Sequence, residues 1–187
     1  MPKQRITKEM VIEAAFELTR QGGLEQVLVK NIAGHLGCSV QPIYSYCSSM
    51  EGLRKDLEER TVQFVRDYLK ENIDPEDLFY STGYAYIRLA KEEPNLYRIY
   101  FTYKRQGIAS LEELYQKVSN PEMAAYLVNK FHISEEKAKA LHMNMLIYTQ
   151  GMGAILAITE PGISEEEARG QLWQAFDVFL QKAREEE

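Results

Sequence analysis

The chain has 187 residues and a mass of 21.6 kDa, which suits one or two compact domains. A hydrophobic content of 45% with 27% charged residues excludes wholesale disorder, and no run approaches the eighteen apolar residues of a membrane-spanning helix. The net charge of −6 taken alone opposes nucleic-acid binding, but it is unevenly placed. Residues 1–55 hold seven bases and five acids, whereas the remainder holds 15 bases and 23 acids. The first eight residues carry Lys3, Arg5 and Lys8 and no acid, a basic arm. The start, Met1-Pro2-Lys3-Gln4-Arg5, leads into an amphipathic segment rather than an apolar plug, which points to a cytoplasmic protein. Cys38 and Cys47 stand nine apart, a spacing that fits no zinc site and suggests reduced thiols at core positions rather than a redox pair.

Apolar periodicity is helical nearly throughout. Met10, Val11, Ala14, Ala15 and Leu18 form one face of a helix over about 7–21, capped by Thr7 and ended by Gly22-Gly23. A short helix around 30–36 carries Ile32, Ala33 and Leu36 and stops at Gly37. Another starts near Ser39 or Val40 and runs to Tyr46, with Pro42 tolerated in its first turn. Ser48 with Glu51 reads as a capping box that opens a long helix to about Asn72, with Leu53, Leu57, Phe64 and Tyr68 on one face. Asp74-Pro75 and Glu93-Pro94 start helices that run to about Glu93 and Tyr103. Two shorter helices, over 111–118 and 122–131, flank the turn dipeptide Asn120-Pro121. Ser134 and Ser164 open two long antiparallel helices to about Thr159 and Arg184, split by Glu160-Pro161-Gly162. With no β-alternation, repeat or low-complexity linker, the expected fold is all-α with about nine helices.

Two short helices across a glycine turn match a helix-turn-helix, whose second helix enters the major groove while the first braces it. The second helix has the chemistry for that task. The Gln41 amide can pair bidentately with adenine, Ser45 can donate or accept, Tyr44 and Tyr46 carry hydroxyls that reach phosphates, and Ile43 faces inward. The expected DNA-binding set is Ser39, Val40, Gln41, Pro42, Tyr44, Ser45 and Tyr46, with Ser49 at the next helix and Lys3 and Arg5 in the arm.

Ile12-Glu13-Ala14-Ala15, Leu18, Gly23, Ile32-Ala33, Gly37, Ser39, Ile43-Tyr44-Ser45-Tyr46 and Glu51-Gly52-Leu53 together resemble the N-terminal signature of tetracycline-repressor (TetR) type transcriptional regulators. The resemblance spans residues 6 to about 65. It implies a helix-turn-helix DNA-binding domain with its arm over 1–48, and a helical domain over 49–187 that dimerises and binds a small effector, linked by the helix after Ser48. It further implies a repressor released from a palindromic operator by that effector, with no cofactor and no metal. The chain departs from the pattern at Cys47, where an aromatic is common, at Met50, where a Lys often opens the helix, and at Val27-Leu28, where a Ser or Thr often caps. Fewer phosphate contacts follow, with modest affinity that the arm offsets.

One reading helix covers only a half-site, so two copies are expected to act together as a homodimer on double-stranded DNA. The last two helices offer Met152, Ile155, Leu156, Leu172, Ala175, Phe176 and Phe179 for a four-helix interface. Twelve tyrosines are concentrated toward the middle of the chain. Tyrosine is costly to bury without a partner and suits a pocket for an amphipathic or aromatic effector. The expected lining is Phe64, Tyr68, Tyr86, Tyr97, Phe101, Tyr126, Met145 and Tyr148. An enzyme finds little support: His35, His132 and His142 lack a Glu three residues earlier, and no HExxH, phosphate loop or GxSxG occurs. A helical protein-binding adaptor is the alternative reading, and it leaves the basic arm and polar short helix unexplained.

Overall fold

The computed structural model describes residues 6–46, 49–104, 106–159 and 162–185, and among these every regular element is helical. In chain order the helices are α1 (Lys8–Gly22), α2 (Val29–His35), α3 (Val40–Tyr46), α4 (Met50–Asn72) and α5 (Leu78–Glu92). They continue with α6 (Pro94–Thr102), α7 (Leu111–Val118), α8 (Pro121–Phe131), α9 (Glu135–Leu156) and α10 (Glu165–Glu185). Single 3-10 turns, Leu24–Gln26 and Pro75–Asp77, precede α2 and α5. The all-α expectation holds.

Local chemistry accounts for most helix ends. The hydroxyls of Thr7, Ser110, Ser134 and Ser164 accept from the backbone N–H three residues on, and the Asn120 side chain accepts from Glu122 N. Two ends differ from expectation. α4 is capped by Ser49, whose Oγ accepts from Gly52 N at 3.0 Å, and Ser48 lies outside the described residues. Asp74-Pro75 opens a 3-10 turn instead of α5, because Asp74 Oδ1 takes the N–H only two residues on, at Glu76.

The chain forms two compact units. The first is Met1–Asp67 with Glu93–Tyr103 and the second Tyr68–Glu92 with Lys104–Glu187, so α4 contributes to both and α6 belongs to the first. The core of the first unit joins Val11, Ala15 and Phe16 of α1 to Ile32 of α2, Ile43 of α3 and Leu53 and Leu57 of α4, all essentially sealed from solvent. Leu96 and Ile99 of α6 complete it. Burying such a side chain stabilises by roughly 1.5–3 kcal/mol. Polar links at the margin fix the helix pairs. Arg60 makes a two-point bond to Glu13 at 2.8 and 3.0 Å with its guanidinium 4.1 Å from the Phe16 ring centroid, and Lys8 pairs with Asp56 at 2.8 Å. Arg20 forks onto Glu93 at 2.8 and 2.9 Å, and Asn95 Nδ2 donates to Arg20 O at 3.1 Å, tying α6 to the end of α1.

In the second unit α9 packs against α10, α5 and α8. Leu127, Ala138, Leu141 and Ala168 are buried there. Phe176 of α10 contacts Phe79, Tyr80 and Phe131 with ring centroids 5.0–5.3 Å apart, and Lys91 Nζ donates to Ile163 O at 2.8 Å. α8 ends with His132 in the left-handed region at φ 55°, its N–H bonded to Val128 O.

Glu93 is 9% exposed, and Arg20 is its charge partner among the described residues. Removing the cation leaves a nearly buried carboxylate uncompensated. Arg20→Ala is therefore expected to cost about 2 kcal/mol, reduced from the fully buried range by the half-exposed guanidinium. Thermal melts check this, and adding Glu93→Gln should recover part of the loss because the neutral amide is cheaper to bury.

Candidate functional sites: a helix-turn-helix and an aromatic cavity

The turn between α2 and α3 is built on Gly37, at φ 63°. Cys38 N donates to Ala33 O at 2.9 Å and Gly37 N to Gly34 O at 3.2 Å, the paired bonds of a Schellman motif that satisfy the last carbonyls of α2. Cys38 is half-buried against the core. α3 has only seven residues, and its single fully buried side chain is Ile43. Tyr44 is 65% exposed and Val40 44%, and Gln41 and Ser45 are also exposed. Ser45 Oγ donates to Gln41 O at 3.2 Å, which leaves its oxygen free to accept. Ser39 lies exposed just before α3, and Pro42 is half-buried. Tyr46 is half-buried and packs against the core, and the Ser49 hydroxyl is engaged in capping. Lys3, Arg5 and Cys47 lie outside the described residues.

α2 begins at Leu28 without a side-chain cap, as the Val27-Leu28 dipeptide implies, and Asn31 Nδ2 donates to Gln26 O at 3.0 Å in that turn. The lysines and arginines between positions 6 and 60 fall into two groups. Lys8, Arg20 and Arg60 are spent in ion pairs, whereas Lys30, Arg54 and Lys55 are exposed with no ion-pair partner among the described residues. Sequence reasoning counted these last three as charge without placing them, because spacing carries no signal for which bases are already neutralised.

The second unit holds a cavity of about 250 Å³. Its aromatic wall includes Tyr80 stacked on Trp173, with centroids 4.2 Å apart, together with Phe79 and Phe176. α9 supplies His142, Met145, Thr149 and Gln150. Burial pushes the Tyr80 phenol up to about 12, a permanently neutral hydroxyl. His142 is 7% exposed and its Nδ1 lies 2.9 Å from the Tyr115 hydroxyl. Burial lowers its pKa to about 4, so the ring is uncharged at neutral pH.

The fold has a solved counterpart. It is similar to the crystal structure of a transcriptional regulator from Rhodococcus sp. Rha1, with a TM-score of 0.62 and 17% identity over 95% of this chain and 98% of that one. No family model matches the chain, and no curated protein sequence does. At that identity the likeness is one of fold.

Of the side chains expected in a pocket, Tyr86 and Met145 line the cavity. Tyr68, Tyr126 and Tyr148 belong to the same unit but do not line it; the Tyr68 hydroxyl donates to Glu92 at 2.7 Å, and Lys130 Nζ donates to the Tyr126 hydroxyl. Phe64, Tyr97 and Phe101 lie in the first unit. Tyr97 is wholly buried there and Phe64 packs on Phe16 with centroids 5.4 Å apart. Aromatic content does not separate core from cavity, hence the mixture. Among the positions expected between subunits, Leu156, Leu172 and Phe176 are buried within the single chain, the last two at the cavity wall. Met152, Ala175 and Phe179 are half-buried and Ile155 is 49% exposed. Trp173, Tyr80 and the His142–Tyr115 pair had no sequence signal, since each became notable only through its neighbours.

Two outcomes follow. A Cβ at Gly37 would meet nothing within 4 Å, so Gly37→Ala tests the left-handed backbone alone; it is expected to cost about 1–2 kcal/mol in denaturant melts, and Gly37→Asn less. For His142 the folded pKa lies below the unfolded 6.5, so the unfolded chain binds more protons between about pH 4 and 6.5. Stability should be complete above that window and fall as pH drops through it, by up to about 3 kcal/mol, relative to a His142→Gln control melted in parallel.

Proposed function

We propose that this chain is a dimeric, sequence-specific DNA-binding transcriptional regulator of the TetR type, with α3 as the reading helix and the cavity of the second unit as its effector site. The observation that carries the reading is the division of labour in α3. One apolar side chain, Ile43, anchors it, while Gln41, Tyr44 and Ser45 are left exposed on a helix whose entry is fixed by the Gly37 turn. A helix that served packing alone has no need of an outer face with an amide and a phenol free of side-chain partners among the described residues, beside a serine whose oxygen can still accept. The likeness to the Rhodococcus regulator supports the same conclusion.

Gln41 and Ser45 supply base-edge contacts, and Tyr44 reaches a phosphate or a thymine methyl. Lys30, Arg54 and Lys55, with Lys3 and Arg5 of the arm, supply the salt-dependent contacts. Two copies are needed to span a palindrome. The dimer face lies on α9 and α10, where Ile147, Ile155 and Val178 are exposed beside the open backbone of Gly151 and Gly170. The regulator acts as a repressor, released when a small molecule in the cavity favours a conformation unable to hold both half-sites. Such a ligand works only through different affinities for the two conformations.

The test is selection of bound fragments from random duplex DNA, followed by titration of variants on the selected site. Gln41→Ala should lose about 1–3 kcal/mol of preference for that site over random duplex while the dimer stays folded. Ile155→Glu should yield monomers in sedimentation and weaken operator binding. A chain that stays monomeric and selects no sequence at low salt would sink the reading and leave the adaptor alternative.

A further inference from the structure

Resting on the reading of this cavity as the effector site, we propose that its ligand is an uncharged aromatic molecule with one hydrogen-bond acceptor, of the aryl ketone or ester class, and that His142 Nε2–H meets the acceptor. Twenty described residues line the cavity, and none is Asp, Glu, Lys or Arg. An ion entering it would lose its hydration with no charged group in the lining to replace it.

An aromatic wall can instead hold a cation, yet this one is already committed. Lys130 Nζ lies 5.2 Å from the Tyr80 ring centroid and the Arg169 guanidinium 4.2 Å from that of Tyr84, so two of the lining rings already carry a protein cation. Lys130 is itself paired with Asp77 at 3.1 Å, so these two ring faces are taken by protein cations and the lining offers a ligand cation no carboxylate.

The wall does hold a donor. The Tyr115 hydroxyl is outside the lining and lies 2.9 Å from Nδ1 of His142; in the tautomer in which it donates to Nδ1, which the ketone titration tests, the ring proton is on Nε2. Among the described residues none bonds Nε2 and none has a sealed side-chain nitrogen or oxygen without a partner, which leaves Nε2 facing open space there. The opening that His142 adjoins is the cavity. Two further polar groups of the wall have protein partners. Thr82 Oγ1 donates to Leu78 O at 2.6 Å, and Asn120 Oδ1 accepts from Glu122 N at 2.9 Å. Size agrees as well: an apolar cavity of about 150 Å³ holds benzene, so one of about 250 Å³ has room for a ring with a short polar substituent. Trp173, Phe79 and Phe176 offer that ring apolar faces.

Trp173 is the single tryptophan of the chain and a wall residue, so its fluorescence reports occupancy directly. The full chain is titrated with acetophenone, ethylbenzene, benzoate and benzyltrimethylammonium at neutral pH. Acetophenone should quench Trp173 with a Kd about tenfold below that of ethylbenzene, the worth of one neutral hydrogen bond, and the two ions should give no response. His142→Leu should bring ketone and hydrocarbon within about twofold. His142→Gln, which keeps an N–H at similar reach and tolerates burial beside Tyr115, should retain the preference. Equal binding of ketone and hydrocarbon, binding of either ion as tight as the ketone, or silence toward all four would overturn the inference. Failure of the regulator reading looks different: ketone binding by a chain that selects no duplex leaves the pocket chemistry standing and removes the effector role. Operator binding by a chain that ignores the ketone does the reverse.

Discussion

α3, the helix proposed to read DNA, is held by very little. Seven residues in isolation do not form a stable helix, because nucleation costs more than so few hydrogen bonds return. α3 exists because the Gly37 turn closes the last carbonyls of α2 and Ile43 is driven into the core beside Ile32 and Leu53. Everything proposed for the outer face depends on that anchoring. Once Ile43 and one left-handed glycine fix the helix, with Tyr46 packed on the core at its end, Gln41, Tyr44 and Ser45 are left exposed and can be polar.

Charge is handled with the same economy. The ion pairs of the first unit join α1 to α4 and α6, and they neutralise Lys8, Arg20 and Arg60 where these helices meet. Lys30, Arg54 and Lys55 are left without such partners. The net negative charge of the chain therefore says little about whether it could bind phosphate, since what matters locally is which cations remain uncommitted. Arg60 does a second job by lying over Phe16, so its aliphatic and planar parts cover core while its charge is paired.

In the second unit the constraint is the opposite one, an interior that contains polar groups and no ions. Burial keeps the Tyr80 hydroxyl and the His142 ring neutral, and Tyr115 orients the imidazole. A wall of this kind selects by the absence of charge as much as by shape. Filling it with aromatic side chains keeps the space rigid at little entropic cost, and the Trp173–Tyr80 stack makes one side of it flat.

Helix positions were legible from sequence because their signals are local: periodic apolar residues, a hydroxyl before the first turn, proline at the first position, glycine where φ is positive. The exposed amide and hydroxyls of α3 were legible for the same reason, since helical spacing puts them opposite Ile43. The packing of Tyr46 on the core was not legible, because the spacing within a short helix does not say which neighbours its last turn meets. The sequence by itself thus determined an all-helical chain and a short polar helix behind a glycine turn. Only the tertiary structure decided that α6 closes the core around α1, that Arg20 meets Glu93 across 73 positions of chain, and which tyrosines face a cavity. Those outcomes depend on which apolar faces meet when remote helices pack, and helix-period patterns specify that a face is buried without specifying its partner.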